Sequence, residues 1–294
     1  IYRYAYYMSQ ITLKDGRKLE YFENGVESER AILLLHGTPG DGSTWERWFE
    51  VITDVKAIST SRPGYGLSDR HKGRTVADDL QDQAAVLDHL GVKKFVSIGW
   101  SGGGPHSLNM SREPRCVAAF TIAGVGEWGN PDLDFLDGMG PENLDEFGEA
   151  LKGETAITEW MDKNAVGLRD VTGDQLIEAF GGLIGEADKR CLTPELAEIS
   201  ARGMRRALSV SFDGWIDDDL AFVRDFAFKL DEINKPVILY QGDDDFMVPH
   251  AHSYWLQKQI PNAKLNFVPG HGHISIGEEF RPNIIKEAIY FLNA

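Results

Sequence analysis

Short apolar runs alternate with helical patterns along the first third of the chain. Two predicted strands, Ser9–Leu13 and Lys18–Phe22, flank Asp15-Gly16, a pair that favours a hairpin because glycine supplies a positive φ. Later apolar runs, such as Ala31–Leu35, are typical of strands buried on both faces of a parallel sheet. Hydrophobic residues at helical spacing predict a helix over Thr75–Leu90 that stops at Gly91. The further strands predicted in this part are Val55–Thr60, Lys94–Ile98 and Val117–Ile122.

The strand pattern is absent from the middle of the chain, where acidic, amphipathic helical stretches are broken by glycine between about Gly126 and Asn234. Strands are predicted again at Pro236–Tyr240 and Lys264–Val268, and a helix over Ile284–Leu292 closes the chain. This order predicts an α/β fold with a mostly parallel, doubly wound sheet. The sheet domain would comprise residues 8–125 and 235–294, with residues 126–234 inserted as a helical lid.

Charge separates the two parts of the chain. The 294 residues carry 46 acidic and 30 basic side chains, a net charge of −16, and residues 126–232 alone hold 25 acidic and 10 basic ones. The negative electrostatic potential of such a chain repels nucleic acid and anionic membrane surfaces, so these are poor partners. We interpret the acidic insertion as a solubilising lid surface. The two cysteines cannot form a disulfide framework, and no apolar run approaches the ~18 residues of a membrane span, so we expect a cytoplasmic protein. Residues 1–7, which precede the first methionine, are interpreted as an extension.

The clearest local motif is Gly99-Trp100-Ser101-Gly102-Gly103, which fits the pattern G-x-S-x-G. It falls where the strand Lys94–Ile98 gives way to a helical pattern at Pro105–Met110. A serine on a sharp strand-to-helix turn has strained backbone angles, and the flanking glycines let neighbouring chain pack closely. The following helix directs free N–H groups at the space above Ser101, so the motif predicts a nucleophile there.

A nucleophilic serine needs a histidine base, and two of the eight histidines have a suitable position. His271 and His273 lie between glycines in a loop after the last predicted strand, at the edge where α/β sheets form their sites. The residues alone leave both open. The other histidines are interpreted as loop-shaping (His36), solvated (His71 and His89), packing (His106) or starting a helix (His250 and His252).

The acid that orients the base is expected in Gly242-Asp243-Asp244-Asp245, which follows the strand Pro236–Tyr240. Spacing alone does not choose among the three aspartates. A turn or a helix cap is the commonest role of such residues, and a metal site made by them with His250 is disfavoured for that reason.

Together these segments resemble the α/β-hydrolase fold superfamily, whose nucleophile, acid and histidine occur in the same order. The resemblance covers about residues 10–124 and 235–291. It is carried by five motifs: HGTPG after the third strand, RPGYGLS after the fourth, GWSGGG, GDDDFMVP and GHGH. GWSGGGP and the later stretch Asp213–Val223 also resemble a group of bacterial predicted hydrolases without a settled substrate.

The resemblance implies a role for each matching residue. Ser101 would be the nucleophile, Asp245 the acid and His273 the base, and the backbone N–H groups of Thr38 and Gly102 would bind the oxyanion. The insertion would be the lid that covers the site. The fallback residues for acid and base are Asp243, Asp244 and His271.

This set of residues predicts a cofactor-free and metal-free serine esterase or lactonase acting on a small molecule, as a monomer or homodimer. Four tryptophans are candidate substrate contacts: Trp100, Trp128, Trp160 and Trp215. Alternatives are a carbon–carbon bond hydrolase, a perhydrolase, a peptidase or a non-catalytic binding protein. Carbon–carbon cleavage of acidic diketones would require a lid arginine facing Ser101, for which the candidates are Arg202, Arg205 and Arg206.

Overall fold

A computed structural model describes residues 6–294, in which eight strands form one sheet. The strands are β1 (Tyr7–Thr12), β2 (Lys18–Glu23), β3 (Arg30–Leu35), β4 (Lys56–Thr60), β5 (Lys94–Trp100), β6 (Cys116–Ile122), β7 (Val237–Gly242) and β8 (Ala263–Val268). Their order is β1-β2-β4-β3-β5-β6-β7-β8. The β1–β2 and β2–β4 pairs are antiparallel, and every other neighbouring pair is parallel.

Eleven α-helices accompany the sheet in this part of the chain. They are α1 (Glu46–Phe49), α2 (Asp79–His89), α3 (Gly103–Met110), α4 (Pro141–Ala150), α5 (Glu154–Asn164), α6 (Gly173–Phe180), α7 (Glu186–Cys191), α8 (Pro194–Ala207), α9 (Asp213–Phe222), α10 (Ala251–Gln259) and α11 (Ser275–Asn293). Helices α4 to α9 all lie between β6 and β7, as the helical insertion predicts. No described helix is long and apolar enough to cross a membrane.

The predicted strands are confirmed, with ends that differ from the observed ones by at most two residues. Alternation along β3 explains why the central strands are apolar on both faces. Ile32 and Leu34 pack with α1 and α11 on one side of the sheet, and Leu33 and Leu35 pack with α2 and α3 on the other. The sheet therefore has helices on both faces, which is the doubly wound arrangement.

Three predicted helix boundaries are wrong. The helix predicted to begin at Thr75 begins at Asp79, because the Thr75 N–H and hydroxyl donate to the Asp78 carboxylate in a turn before it, 2.7 and 2.8 Å away. Helix α3 begins at Gly103, two residues before the predicted start. The last helix begins at Ser275 and continues through Pro282, since its buried face extends over Ile276, a full turn and more before the predicted start.

The segment set aside as an extension, residues 1–7, is described only at its last two residues. Tyr7 begins β1, so that strand starts two residues before the prediction. The Tyr6 ring packs edge-on against Phe22, with centroids 5.3 Å apart. Residues 1–5 lie outside the described part of the chain.

Candidate active site

Ser101 lies on a strained turn between β5 and α3. Its φ of +56° is in the left-handed region, which residues other than glycine rarely adopt. The turn is so tight that a Cβ on Gly99 would overlap the carbonyl of Gly103, and one on Gly103 would overlap the carbonyl of Leu35. The local composition is therefore a steric requirement of holding this serine at the end of the strand.

His273 is positioned by Asp245, the third of the three aspartates. Its Nδ1 is 2.9 Å from Asp245 Oδ2, and both side chains are buried. The other oxygen, Oδ1, accepts the backbone N–H groups of Met247 and Val248 at 3.0 and 2.9 Å, so the carboxylate is held in place. Burial opposes protonation of the imidazole, but the charge and hydrogen bond of Asp245 raise the His273 pKa above its ordinary value.

The fallback residues have other partners. Asp243 accepts the Gly270 N–H at 2.7 Å, and Asp244 accepts the Ala187 N–H at 2.7 Å. The His271 Nε2 lies 2.8 Å from Glu279, near the surface. Of the candidates for acid and base, the structure brings only Asp245 and His273 together.

Ser101 borders two cavities, which it shares with Thr38. We call the first the histidine cavity: its volume is about 160 Å³, and His273 and Trp100 also line it. We call the second the lid cavity: its volume is about 360 Å³, and Gly102 and side chains of the lid helices also line it. Ser101 Oγ makes no hydrogen bond to any group in residues 6–294, His273 included, which leaves its hydroxyl free at the junction of the cavities. Catalytic hydrogen bonds of this kind are often long before substrate binds.

The two candidate oxyanion donors lie against each other. A Cβ on Gly102 would overlap the Thr38 hydroxyl, so the two loops are in close contact above Ser101. Neither the Thr38 N–H nor the Gly102 N–H donates a hydrogen bond within the described chain. Free backbone donors at this place can receive a carbonyl oxygen that becomes negatively charged.

A lid residue that the sequence analysis did not select, Asp218 on α9, anchors the Thr38 loop. Its Oδ2 accepts the Thr38 hydroxyl and the Arg62 guanidinium, both at 2.6 Å, and the Tyr65 hydroxyl at 2.9 Å. Arg74 lies 2.7 Å from Oδ1. Burial disfavours its charge, but the two arginines hold the Asp218 pKa well below its usual range, so it is ionised.

A second lid residue that was missed, Asp188 on α7, holds the histidine loop. Its carboxylate accepts the N–H groups of Ile274 and Ser275, at 3.1 and 2.8 Å. A Cβ on Gly272 would come within 2.6 Å of that carboxylate, which explains the glycine before His273. Asp188 lies 86 residues from Ile274, and no local sequence signal connects them.

Two of the remaining histidines have structural contacts, in line with their interpretation. His36 Nε2 accepts the Arg62 N–H at 3.0 Å, and its Nδ1 donates to the Gly37 carbonyl at 2.7 Å. Burial and the nearby Arg62 lower its pKa well below the ordinary value, so it is neutral. His106 is buried beside Asp79, with its Nδ1 2.9 Å from the carboxylate.

Three of the four candidate tryptophans line one of the two cavities. Trp160 and Trp215 line the lid cavity, and Trp100 lines the histidine cavity, where its ring is tilted by 37° against that of His273, with centroids 5.4 Å apart. Trp128 lines neither cavity and packs instead against Phe135, with centroids 5.2 Å apart. The histidine cavity also contains two tryptophans that the sequence analysis missed, Trp45 and Trp48.

Comparison with known proteins gives a consistent set of relatives. A family model described as "Alpha/beta hydrolase family" matches residues 32–282. The chain is 27% identical over 278 residues to a bifunctional esterase/perhydrolase of Acinetobacter calcoaceticus, covering 90% of this chain and 93% of that protein. It is 35% identical over 288 residues to the dihydrolipoyllysine-residue acetyltransferase component of an acetoin cleaving system of Pseudomonas putida, covering 94% of this chain and 67% of that protein. Among solved structures, an esterase from Exiguobacterium antarcticum superposes with a TM-score of 0.71 at 16% identity, covering 97% of this chain and 99% of that one.

Proposed function

The chain belongs to the alpha/beta hydrolase family, and on that premise we propose that it is a serine hydrolase cleaving small carboxylic esters or lactones. The observation that supports this most directly is that Ser101 and His273 share the wall of the histidine cavity while Asp245 bonds the far side of the imidazole. Ser101 is then the nucleophile, His273 the base, and Asp245 the residue that fixes the ring.

The acylation step follows from these positions. With its Nδ1 proton donated to Asp245, neutral His273 presents an unprotonated Nε2 that takes the Ser101 proton as Oγ attacks the substrate carbonyl. The oxyanion that forms accepts the N–H groups of Thr38 and Gly102. Protonated His273 then gives its proton to the leaving alcohol, and an acyl group remains on Ser101.

Deacylation uses the same groups in reverse. His273 removes a proton from water as the water oxygen attacks the acyl carbonyl, and the carboxylic acid leaves as Ser101 regains its proton. The raised pKa of His273 makes it a stronger base, provided that the solution is alkaline enough to keep it neutral.

Residues 126–234 are proposed to act as the lid of this site. Residues 126–234 supply most of the wall of the lid cavity, chiefly from α4, α6 and α9. Two lid carboxylates, Asp188 and Asp218, bond the histidine loop and the Thr38 loop. The lid therefore contacts the loop that carries the base and the loop that carries an oxyanion donor.

Perhydrolysis is a second candidate, since one relative is named a bifunctional esterase/perhydrolase. Hydrogen peroxide would replace water in deacylation, releasing a peracid and free Ser101. The arginines required for carbon–carbon cleavage of acidic diketones have partners elsewhere and line neither cavity. Arg202 pairs with Glu46, Arg205 with Glu198, and Arg206 with Glu20. A non-catalytic binding protein has no need of two unpaired N–H groups above the serine.

Stopped-flow hydrolysis of p-nitrophenyl acetate tests the acyl-enzyme. We expect a burst of p-nitrophenol close to one equivalent of enzyme, followed by a slower steady rate. Ser101→Ala should lack the burst and the turnover while keeping its circular dichroism spectrum and melting temperature. Wild-type turnover in a folded Ser101→Ala protein would reject Ser101 as the nucleophile. A peracid assay with added peroxide separates the two candidates.

A further inference from the structure

Acidic side chains are the only charged ones that line the lid cavity. Four carboxyl groups stand in its wall, and its lining contains no lysine, arginine or histidine. The four are Glu142, Asp145, Glu146 and Asp219. Ser101 borders the same cavity, so a molecule bound to the serine extends toward these carboxyl groups, none of which faces a basic side chain in the cavity wall.

Asp219 differs from its two neighbours on α9 because it has no cation. Asp217 pairs with Arg70 at 2.9 Å, and Asp218 pairs with Arg62 and Arg74. Asp219 is only 1% exposed, and no nitrogen or hydroxyl group of the described chain donates a hydrogen bond to either of its oxygens. Its one side-chain hydrogen bond is to the carboxyl group of Glu146. Buried carboxylates are normally paired with a cation or bonded to donor groups, so a buried carboxyl group beside a cavity whose only partner is another carboxyl group points to a cationic ligand.

The partner of Asp219 is another carboxyl group, that of Glu146 on α4. Burial, the charge of Glu146 and the hydrogen bond between the two carboxyl groups raise the pKa of Asp219 well above its ordinary value, and burial raises the pKa of Glu146 to about 7, so the pair holds a shared proton. Glu146 also accepts the Trp215 indole N–H, 2.6 Å from Oε1. A bound cation would stabilise both carboxylates in their ionised form.

The aromatic walls around this pair suit an organic cation. The rings of Trp160 and Trp215 meet edge to face, with centroids 6.1 Å apart, and both line the cavity. Indole faces attract ammonium groups. Within residues 6–294 no three carboxylate, imidazole or thiolate groups are arranged to hold a metal ion, which favours an ammonium group over a metal.

We propose that the lid cavity binds the ammonium group of an amine-bearing substrate between Glu146 and Asp219, and that the enzyme therefore prefers amino esters over neutral esters of the same shape. The inference rests on the proposed function, since it takes Ser101 as the nucleophile. It adds a substrate class, a cationic amine joined to an ester.

A pair of esters that differ only in charge tests the inference. The probes are p-nitrophenyl ε-aminohexanoate and p-nitrophenyl heptanoate, in which a methyl group replaces the ammonium, at mildly alkaline pH. Charged hydrogen bonds of this kind correspond to a preference in kcat/KM of about tenfold to a hundredfold for the amino ester. Asp219→Asn and Glu146→Gln should each remove most of that preference.

Glu159→Gln is the matched control, because Glu159 is an exposed lid carboxylate on α5 that lines neither cavity. It should keep the preference, which separates the local contact from the general negative field of the lid. Equal hydrolysis of both esters by the wild type, or a preference unchanged in Asp219→Asn, would overturn the inference and leave the esterase assignment intact.

If neither ester is hydrolysed, the proposed function fails and calorimetry decides the inference separately. Hexylamine should bind the wild-type protein, and Asp219→Asn should weaken its affinity about tenfold or more, whereas 1-hexanol should show no such difference. Absence of hexylamine binding, or equal binding to wild type and Asp219→Asn, would overturn the amine site on its own.

Discussion

Replacing Asp218 by Asn would leave Arg62 and Arg74 buried without their anion. Both arginines are almost fully buried, with side chains 1% exposed, and Asp218 itself is inaccessible to solvent. Asparagine has the same shape, but it has no charge and its amide nitrogen cannot accept a hydrogen bond. The change therefore removes one negative charge from between two buried cations without creating a cavity.

The expected cost is large because neither arginine has another carboxylate partner within residues 6–294. Removing one partner of a buried ion pair typically costs about 3–5 kcal/mol. For a chain of this size, each 1 kcal/mol lowers the melting temperature by about 2–4 °C, so the expected fall is roughly 6–20 °C.

Asp217→Asn, one residue earlier on the same helix, is the matched control. Its partner Arg70 is 26% exposed and keeps Asp213, 2.8 Å away, so loss of the Asp217 pair should cost only about 1 kcal/mol. Thr38 contacts Asp218 and not Asp217, so only Asp218→Asn should also lower kcat, by roughly tenfold or more through displacement of an oxyanion donor.

Melting by circular dichroism and p-nitrophenyl acetate kinetics on the two variants measure both effects. Equal destabilisation by Asp217→Asn and Asp218→Asn would refute the reasoning about burial. A destabilised Asp218→Asn with unchanged kcat would instead show that the Thr38 loop keeps its position without this anchor.

Three further predictions concern the reacting groups. Asp245→Asn should lower kcat for p-nitrophenyl acetate on the order of 10⁴-fold with little change in KM, and a loss below about tenfold would exclude it as the orienting acid. Only neutral His273 can act as base, and its pKa is raised, so kcat/KM should increase with pH in a single titration step whose midpoint lies above 6.5. A midpoint below 6.5 would contradict the contact with Asp245. Gly102→Ala places a methyl group against the Thr38 hydroxyl and should lower kcat about 10²-fold. The control Gly148→Ala, on α4 with open space at its Cβ, should leave the kinetics unchanged. Equal kinetics for the two variants would contradict the close contact between Gly102 and Thr38.

The strands and the nucleophile turn were accessible from the sequence because their determinants are local. The apolar run of β3 reflects the burial of both faces of the strand. The clash that Gly99 avoids is with chain only a few residues away, and the clash that Gly103 avoids is with the neighbouring strand. Choosing Asp245 and His273 among their neighbours required the family resemblance, since Asp243 and His271 have the same local spacing to turns and glycines.

The contacts that the lid makes with the site loops could not be predicted from the sequence, because each joins distant parts of the chain. Asp218 meets Thr38 across 180 residues, and Asp188 meets Ile274 across 86. The acidic composition of the lid predicts a solubilising surface, yet Asp188, Asp218 and Asp219 are buried. Nothing in the sequence distinguished Trp128 from Trp160 as a substrate contact; the structure distinguishes them, because Trp128 packs against Phe135.

Reaction with a fluorophosphonate probe, followed by intact-mass and peptide mass spectrometry, tests the central assignment most directly. We expect one phosphonyl group per chain, located on the peptide that contains Ser101, and no adduct in folded Ser101→Ala. An adduct on any other residue, or an unmodified protein that still hydrolyses p-nitrophenyl acetate, would contradict it.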